Sequence, residues 1–447
     1  MIEDLELSVE EIALKLFSSA LDLTISQLTF HHKQTAYLSF KIASAMGLPD
    51  SSQRELSLAS LIHDSGLFWG EEEDISDLLN PSASTSWRHC LVAYYLLKDF
   101  PLINKISPNV PRIILYHHTR WRDVQEPEKA SGLRAVMEFT KQEVPIESFI
   151  LHLSGIVSHL ANPQKPILLQ ANEIKEKIKE LSGYRIPKEV VEAFMKVSSR
   201  EATWLDLVSP FLEEILYQMN PLPEYKLNKD EIISLSELFC FFIDFKSHYT
   251  AFHSRGVAKT AEEIGKLLSL PQFEIDILKI AGNLHDLGKL GIPQSIIEKA
   301  GKLSEDEFAL VKEHPYLTYI YLNRLRNFEK IRDAAGLHHE RLDGSGYPFK
   351  LKGEEIPLHA RIMAVADVFT ALREKRPYRP VLEIGEVIKI MEKEAEEGKL
   401  DPEIVSLLIS HQREIDAHHL EIQFSSMQRY QEIFLTLSSL LDRGIAS

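Results

Sequence analysis

Two short segments hold most of the residues with an obvious chemical use. One is His338-His339-Glu340-Arg341-Leu342-Asp343-Gly344-Ser345-Gly346-Tyr347-Pro348, with adjacent imidazoles ahead of a Gly-Tyr-Pro turn. The other is His285-Asp286-Leu287-Gly288-Lys289. Neutral imidazole together with carboxylate suits Fe, Mn, Zn or Ni, whereas Mg prefers an all-oxygen shell. Asp286 follows His285 directly, so it can bridge two cations while the histidine binds one. His253, His314, His338, His339 and Asp367 bring the candidate ligands to seven, which suits two cations better than one. Two cations a few ångströms apart activate a water and clamp both oxygens of an in-line displacement at phosphorus. Lys289 lies one helical turn beyond His285 and shares its face, placed for a non-bridging phosphate oxygen. Taken singly these residues mean little. A lone histidine on an apolar helix face is ordinarily packing, and Gly344 to Pro348 alone reads as a surface turn. The chemical reading rests on the ordered set.

The elements that position these residues are helices. Residues 257–270, 274–288 and 360–375 repeat apolar side chains at three- and four-residue spacing, and no sustained alternation bounded by hairpin turns appears. The expected fold is all-α, as two helical domains in tandem. The strongest break is Asn220 to Lys229, NPLPEYKLNK, with a softer one at Asn162 to Lys165. Domains are therefore expected at 1–219 and 231–447, with a linker at 220–230. The halves read as a diverged duplication. His31 and His63 are 32 residues apart, as are His253 and His285. Phe30-His31 answers Phe252-His253, His63-Asp64 answers His285-Asp286, His89 answers His314, and His117-His118 answers His338-His339.

Composition limits the partners. A formal charge of −16 argues against broad capture of DNA or RNA. An anionic small molecule then needs local positive charge, which Arg373, Lys375, Arg376 and Arg379 supply against Glu374 alone. Neither a membrane span nor the basic start of a signal peptide is visible, so the expected location is cytoplasmic. Cys90 and Cys240, the two cysteines, read as buried thiols rather than a disulfide or metal thiolates.

From about Phe241 to Leu408, through HDLGK, HHERLDGSGYP, ADVFTALREKRPYR and DPEIV, the sequence resembles HD-GYP domains, a bacterial subgroup of the HD phosphohydrolases. That resemblance implies an HD-type helical fold and hydrolysis of a cyclic dinucleotide, cyclic di-GMP or 3′,3′-cyclic GMP-AMP. The product would be a linear 5′-phosphorylated dinucleotide, with further cleavage to mononucleotides. It implies metal ligation by His253, His285, Asp286, His314, His338, His339 and Asp367, with Asp286 and Lys289 in the catalytic machinery. Phosphate contacts fall to Lys289, Arg376 and Arg379, and Gly346, Tyr347 and Pro348 border the substrate cleft. Asp343 is expected to organise the loop. Relatives with three metals carry Glu four residues before the first histidine; Tyr249 stands there, so two divalent ions are expected, Fe or Mn ahead of Ni or Zn. Many relatives have Asp where this chain has Thr370, which puts a supporting carboxylate in doubt.

The first half keeps His31, His63, Asp64, His89, His117 and His118. Leu67 replaces the lysine, Ser154 replaces the final aspartate, and TRWRDVQEPE replaces the Gly-Tyr-Pro segment. A regulatory or structural domain is expected there, its remaining histidines either holding one metal or, as for His31 and His63, packed as relics in a helical core. Its aromatics, Trp87, Trp121 and Tyr94-Tyr95, are expected to be core rather than a ligand cage. Two alternatives stand beside the phosphodiesterase: a receptor that binds a cyclic dinucleotide without hydrolysis, and a general HD nucleotide phosphohydrolase. A signalling protein or a second copy of the chain would be its protein partner.

Overall fold

The structure is a computed structural model that describes residues 5–24, 30–69, 88–246, 253–374 and 381–440. Trp87, Tyr249, Lys375, Arg376 and Arg379 lie outside the described residues, so the expectations placed on them are not addressed by it. The described chain is helical apart from short connections and one pairing of Leu7–Ser8 with Lys226–Leu227. Two compact units form. One takes the described residues within 8–225 and 433–447, the other those within 1–7 and 226–432. No described helix is long and apolar enough to cross a membrane.

The first unit is built on helices α1 (His31–Met46), α2 (Asp50–Ile62), α3 (Arg88–Leu97), α4 (Val110–Leu115) and α5 (Ile146–Leu160). The second begins with α6 (Lys229–Phe245), where Asn228 and Glu231 form a reciprocal cap. It continues through α7 (His253–Leu267), α8 (Gln272–Leu284), α9 (Glu313–Leu322), α10 (Glu329–Gly336) and α11 (Leu358–Arg373). A long terminal helix, α12 (Gln412–Leu440), starts in this unit.

The duplication extends to the turns. α1 ends at Gly47 with φ +72°, and the matching position after α7 is Ser269 with φ +55°. In each case the following leucine, Leu48 or Leu270, donates its N–H to a carbonyl of the last turn, Ala43 or Gly265. A left-handed residue closing the last helical carbonyls explains why the chain turns there. Pro49 and Pro271 then hold φ at −55° and −57° immediately before α2 and α8.

The second core packs Val257, Ala261 and Ile264 of α7 and Ile277, Leu278 and Ala281 of α8 with Ile362, Val365 and Phe369 of α11, all buried. Each large apolar side chain removed from water contributes about 1.5–3 kcal/mol, which holds in place the helix ends carrying His253 and His285 and the middle of α11 carrying Asp367. Tyr94 of the first unit is likewise packed in an apolar cluster with Leu91, Val92 and Tyr116, and meets Tyr95 edge-on.

Candidate metal centre

His253 opens α7, His285 follows α8, His314 is in the first turn of α9, His338-His339 follow α10, and Asp367 is inside α11. The structure brings all seven side chains together in overlapping groups. His253, His285 and Asp367 form one, His314, His338 and His339 another, and His285, Asp286 and His338 link them; within each, the ligand atoms lie within 4.8 Å. Asp286 faces both ways. Its Oδ2 is 3.4 Å from His285 Nε2 and 3.9 Å from His253 Nε2, while its Oδ1 is 3.4 Å from His314 Nε2.

The histidine tautomers are set by the backbone. Nδ1–H of His285, His314 and His338 donates to the carbonyls of Gly282, Val311 and Ala335 at 2.8, 2.6 and 2.6 Å. Each is three residues back, so the helix end itself orients the ring. The Nε2 lone pairs then point inward, the arrangement that a hydrogen bond at the outer ring nitrogen gives to metal-binding imidazoles. Burial holds His314 down to about 4 and His338 to about 3, so both are unprotonated near neutrality. Burial opposes ionisation of Asp286, yet His285, Lys289 and His314 together keep its carboxyl well below the usual range. For Asp367 the contact with His253 and the neighbouring imidazoles overcome burial in the same way.

These groups fit divalent cations. His285 Nε2 and Asp286 Oδ1 are buried without a hydrogen-bond partner, an arrangement costly unless another electrophile completes it. Lys289 Nζ donates to Asp286 Oδ2 at 2.6 Å, with its side chain 23% exposed at the edge of the cluster.

The Gly-Tyr-Pro segment packs directly on the ligands. Tyr347 N–H donates to the His339 carbonyl at 3.2 Å, and its ring lies 4.9 Å from the His339 ring. A Cβ on Gly346 would fall 2.4 Å from Arg341 N and 2.5 Å from Glu340 Cα, so only glycine permits that approach. Pro348 follows and is half-buried. Asp343 Oδ1 accepts from Ser345 N at 2.8 Å, closing the loop on itself.

Two carboxylates were not singled out by sequence reasoning. Glu374 Oε2 lies 2.9 Å from His253 Nδ1, and its Oε1 accepts from Gln423 Nε2 at 3.2 Å. The sequence shows this acid only as a counter-charge in a basic patch. Its position two helical turns beyond Asp367 was the available signal. Glu374 thus supplies a supporting carboxylate while Thr370 is a buried hydroxyl. Glu340 accepts the N–H groups of Phe349 and Leu351 at 2.6 and 3.0 Å, anchoring the far side of the Gly-Tyr-Pro turn.

The first unit repeats the arrangement with changes. Asp64 Oδ2 is 3.3 Å from His63 Nε2 and 3.9 Å from His31 Nε2, while Oδ1 is 3.9 Å from His89 Nε2 and 4.0 Å from His117 Nε2. Nδ1–H of His63 and of His117 again donates three residues back, to Ser60 and Ile114 carbonyls. Ser154 is buried on α5, and Leu67 is buried where Lys289 stands in the other copy. His32 is new: its Nε2 lies 3.2 Å from Asp64 Oδ2 and its Nδ1 3.2 Å from Asp22 Oδ1. Burial disfavours its charge, but the hydrogen bonds to Asp22 and Asp64 win and raise it to about 9. Trp121 meets Phe149 edge-on at 5.5 Å, as packing.

A family model described as HD domain matches residues 15–156 and 234–404, one segment in each copy. The chain belongs to the HD domain family. It carries two HD domains, the first diverged from the second at the lysine, the last aspartate and the Gly-Tyr-Pro turn. Among curated relatives, a 3′3′-cGAMP-specific phosphodiesterase 1 of Vibrio cholerae serotype O1 is 29% identical over 396 residues, covering 86% of this chain and 87% of that protein. A cyclic di-GMP phosphodiesterase of Thermotoga maritima is 28% identical over 322 residues, covering 71% and 77%. The crystal structure of a cyclic GMP-AMP specific phosphodiesterase of V. cholerae (V-cGAP3) overlays with TM-score 0.61 at 23% identity, covering 91% of this chain and 98% of that one. At that identity the overlay speaks for the tandem HD fold alone.

Proposed function

We propose that the second HD domain is a metal-dependent phosphodiesterase that hydrolyses a cyclic dinucleotide, cyclic di-GMP or 3′,3′-cyclic GMP-AMP, to a linear 5′-phosphorylated dinucleotide. One observation carries the reading: the two oxygens of Asp286 face two separate histidine groups, with an amine, Lys289, at the rim. The names of the relatives support the substrate class.

In this reading two divalent cations, Fe or Mn, are held by His253, His285, Asp286, His314, His338, His339 and Asp367. When bound they polarise a phosphodiester and lower the pKa of water. The chain's own groups do the rest. Backbone-anchored Nδ1–H groups keep the inward nitrogens of His285, His314 and His338 lone-pair donors, and Glu374 does the same for His253. Lys289, in place of its contact with Asp286, neutralises charge growing on a non-bridging oxygen. Arg376 and Arg379 are assigned to the same task. Tyr347, seated on His339, walls the cleft and limits access of bulk water.

The test is incubation of the full chain, loaded with Mn or Fe, with cyclic di-GMP, 3′,3′-cyclic GMP-AMP and dNTPs, products being resolved chromatographically. A linear dinucleotide from a cyclic substrate, absent with Asp286→Ala, is expected. Turnover of dNTPs alone, or binding of the cyclic compounds with no turnover in any metal, overturns the proposal.

A further inference from the structure

The first HD domain contains a group of four ligating side chains that the hydrolase reading does not use. His89, Cys90, His117 and His118 each offer one ligand atom, all within 4.8 Å of one another. Cys90 Sγ is 3.6 Å from His89 Nε2, and the Nε2 atoms of His89 and His117 are 3.4 Å apart; His117 Nδ1, 3.5 Å from the sulfur, donates to the Ile114 carbonyl and leaves Nε2 as that ring's ligand atom. Tetrahedral zinc bonds to nitrogen and sulfur place neighbouring ligand atoms about 3.3–3.8 Å apart. His118 Nε2 is buried without a hydrogen-bond partner, and Asp64 Oδ1, beside His89 and His117, is in the same state. The second domain carries Pro315 after His314, where the first carries Cys90 after His89, so the sulfur belongs to this copy alone.

We propose that the first HD domain holds one thiolate-ligated cation of the zinc class in a closed pocket formed by His89, Cys90, His117 and His118. A soft thiolate with imidazoles selects zinc over Mn or Mg, and a filled four-ligand shell leaves no position for a substrate. Ligation releases the Cys90 proton to solvent and adds a negative charge to the shell. In the neighbouring pocket His31, His63 and Asp64 also bring their ligand atoms within 4.8 Å of one another, but we assign it no second cation. There Ser154 replaces the aspartate, and His32 Nε2 already stands 3.2 Å from Asp64 Oδ2, bracketed by Asp22. The cation is structural, tying the start of α3 to the turn after α4.

Cobalt tests this independently of any hydrolytic activity, because the candidate ligands in the second domain contain no sulfur. The full chain, stripped with chelator, is titrated with Co2+ and followed by absorption. A thiolate-to-cobalt charge-transfer band in the near ultraviolet is expected, its amplitude at saturation that of one thiolate site per chain. Cys90→Ser removes the band and weakens zinc binding at this site at least tenfold, while the visible cobalt bands of the second domain persist. Absence of the near-ultraviolet band in the wild type overturns the inference. So does its survival in Cys90→Ser, which would assign the sulfur to Cys240. A stable, folded wild type whose thermal midpoint rises with zinc no more than that of Cys90→Ser also counts against it.

Discussion

Replacing Glu374 tests whether the second centre depends on a residue that carries no ligand atom itself. In the folded protein Glu374 is 6% exposed and its Oε2 lies 2.9 Å from His253 Nδ1. With that contact the ring presents Nε2 to Asp367 Oδ1 at 3.1 Å and to the cation cluster. Glu374→Ala leaves the His253 N–H buried without its acceptor, a cost of about 1–3 kcal/mol, and frees the ring to rotate. Removing such a supporting partner typically lowers metal affinity 10–100-fold, or about 1.4–2.7 kcal/mol. Glu374→Gln keeps an acceptor oxygen and should lose less than tenfold. The assay is competition for metal against a chromophoric chelator, together with turnover at limiting and saturating metal. Glu374→Ala should be impaired at limiting metal and largely restored at saturation. Affinity within twofold of wild type, or an activity loss that no metal concentration restores in a protein of unchanged thermal midpoint, refutes the positioning role.

Other expectations follow from the same geometry. Lys289→Ala should lower kcat about 10²-fold with metal content unchanged, as for loss of one donor to transition-state charge; loss of metal instead would make Lys289 a structural partner of Asp286. Gly346→Ala forces a Cβ against the Arg341 and Glu340 backbone, and should cost about 1–3 kcal/mol by thermal unfolding; an unchanged midpoint contradicts the close approach. For the chelated protein, burial holds His63, His117 and His314 at about 4 and His89 and His338 at about 3, against 6.5 unfolded. The unfolded chain therefore binds more protons between those values, and stability falls as pH drops from about 6.5 towards 4. His32, raised to about 9, contributes stability that is full below about 6.5 and lost as pH rises through 9. Thermal midpoints of the chelated chain should thus peak near pH 6.5; a midpoint that climbs steadily on acidification from there contradicts the burial of neutral imidazoles.

What was legible in the sequence was whatever depends on local spacing. Of the seven side chains gathered in the second domain, six stand at or just beyond helix ends and Asp367 inside α11, on helices whose apolar periodicity is plain, and adjacency of His285 to Asp286 already implies a carboxylate shared between pockets. The paired turns at Gly47-Leu48-Pro49 and Ser269-Leu270-Pro271 repeat at the same offset as the histidines. Contacts set by three-dimensional closure were not legible. Glu374 lies 121 residues from His253, and nothing in a charged run marks it as a hydrogen-bond acceptor. Cys90 read as a buried thiol. It is buried and forms no disulfide, but two histidines, His89 and His117, lie beside its sulfur. His32 was not singled out in the sequence, because its acids, Asp22 and Asp64, reach it from separate segments.

Gly66 and Gly288 follow the two His-Asp pairs at the same offset, and neither faces the metal cluster. A Cβ on Gly66 would sit 1.9 Å from the His89 carbonyl oxygen, and one on Gly288 would sit 2.1 Å from that of His314. Each glycine marks where one helix end crosses another with no room between them, so it persists for as long as the fold does, whatever happens to the chemistry. A search that scored enzymes by the spelling His-Asp-any-Gly would count this chain as two hydrolases. The next letter is the informative one: Lys289 reaches the rim, whereas Leu67 is sealed inside, and under the proposed function a catalogue of tandem proteins sorted on that position would separate hydrolytic copies from the rest.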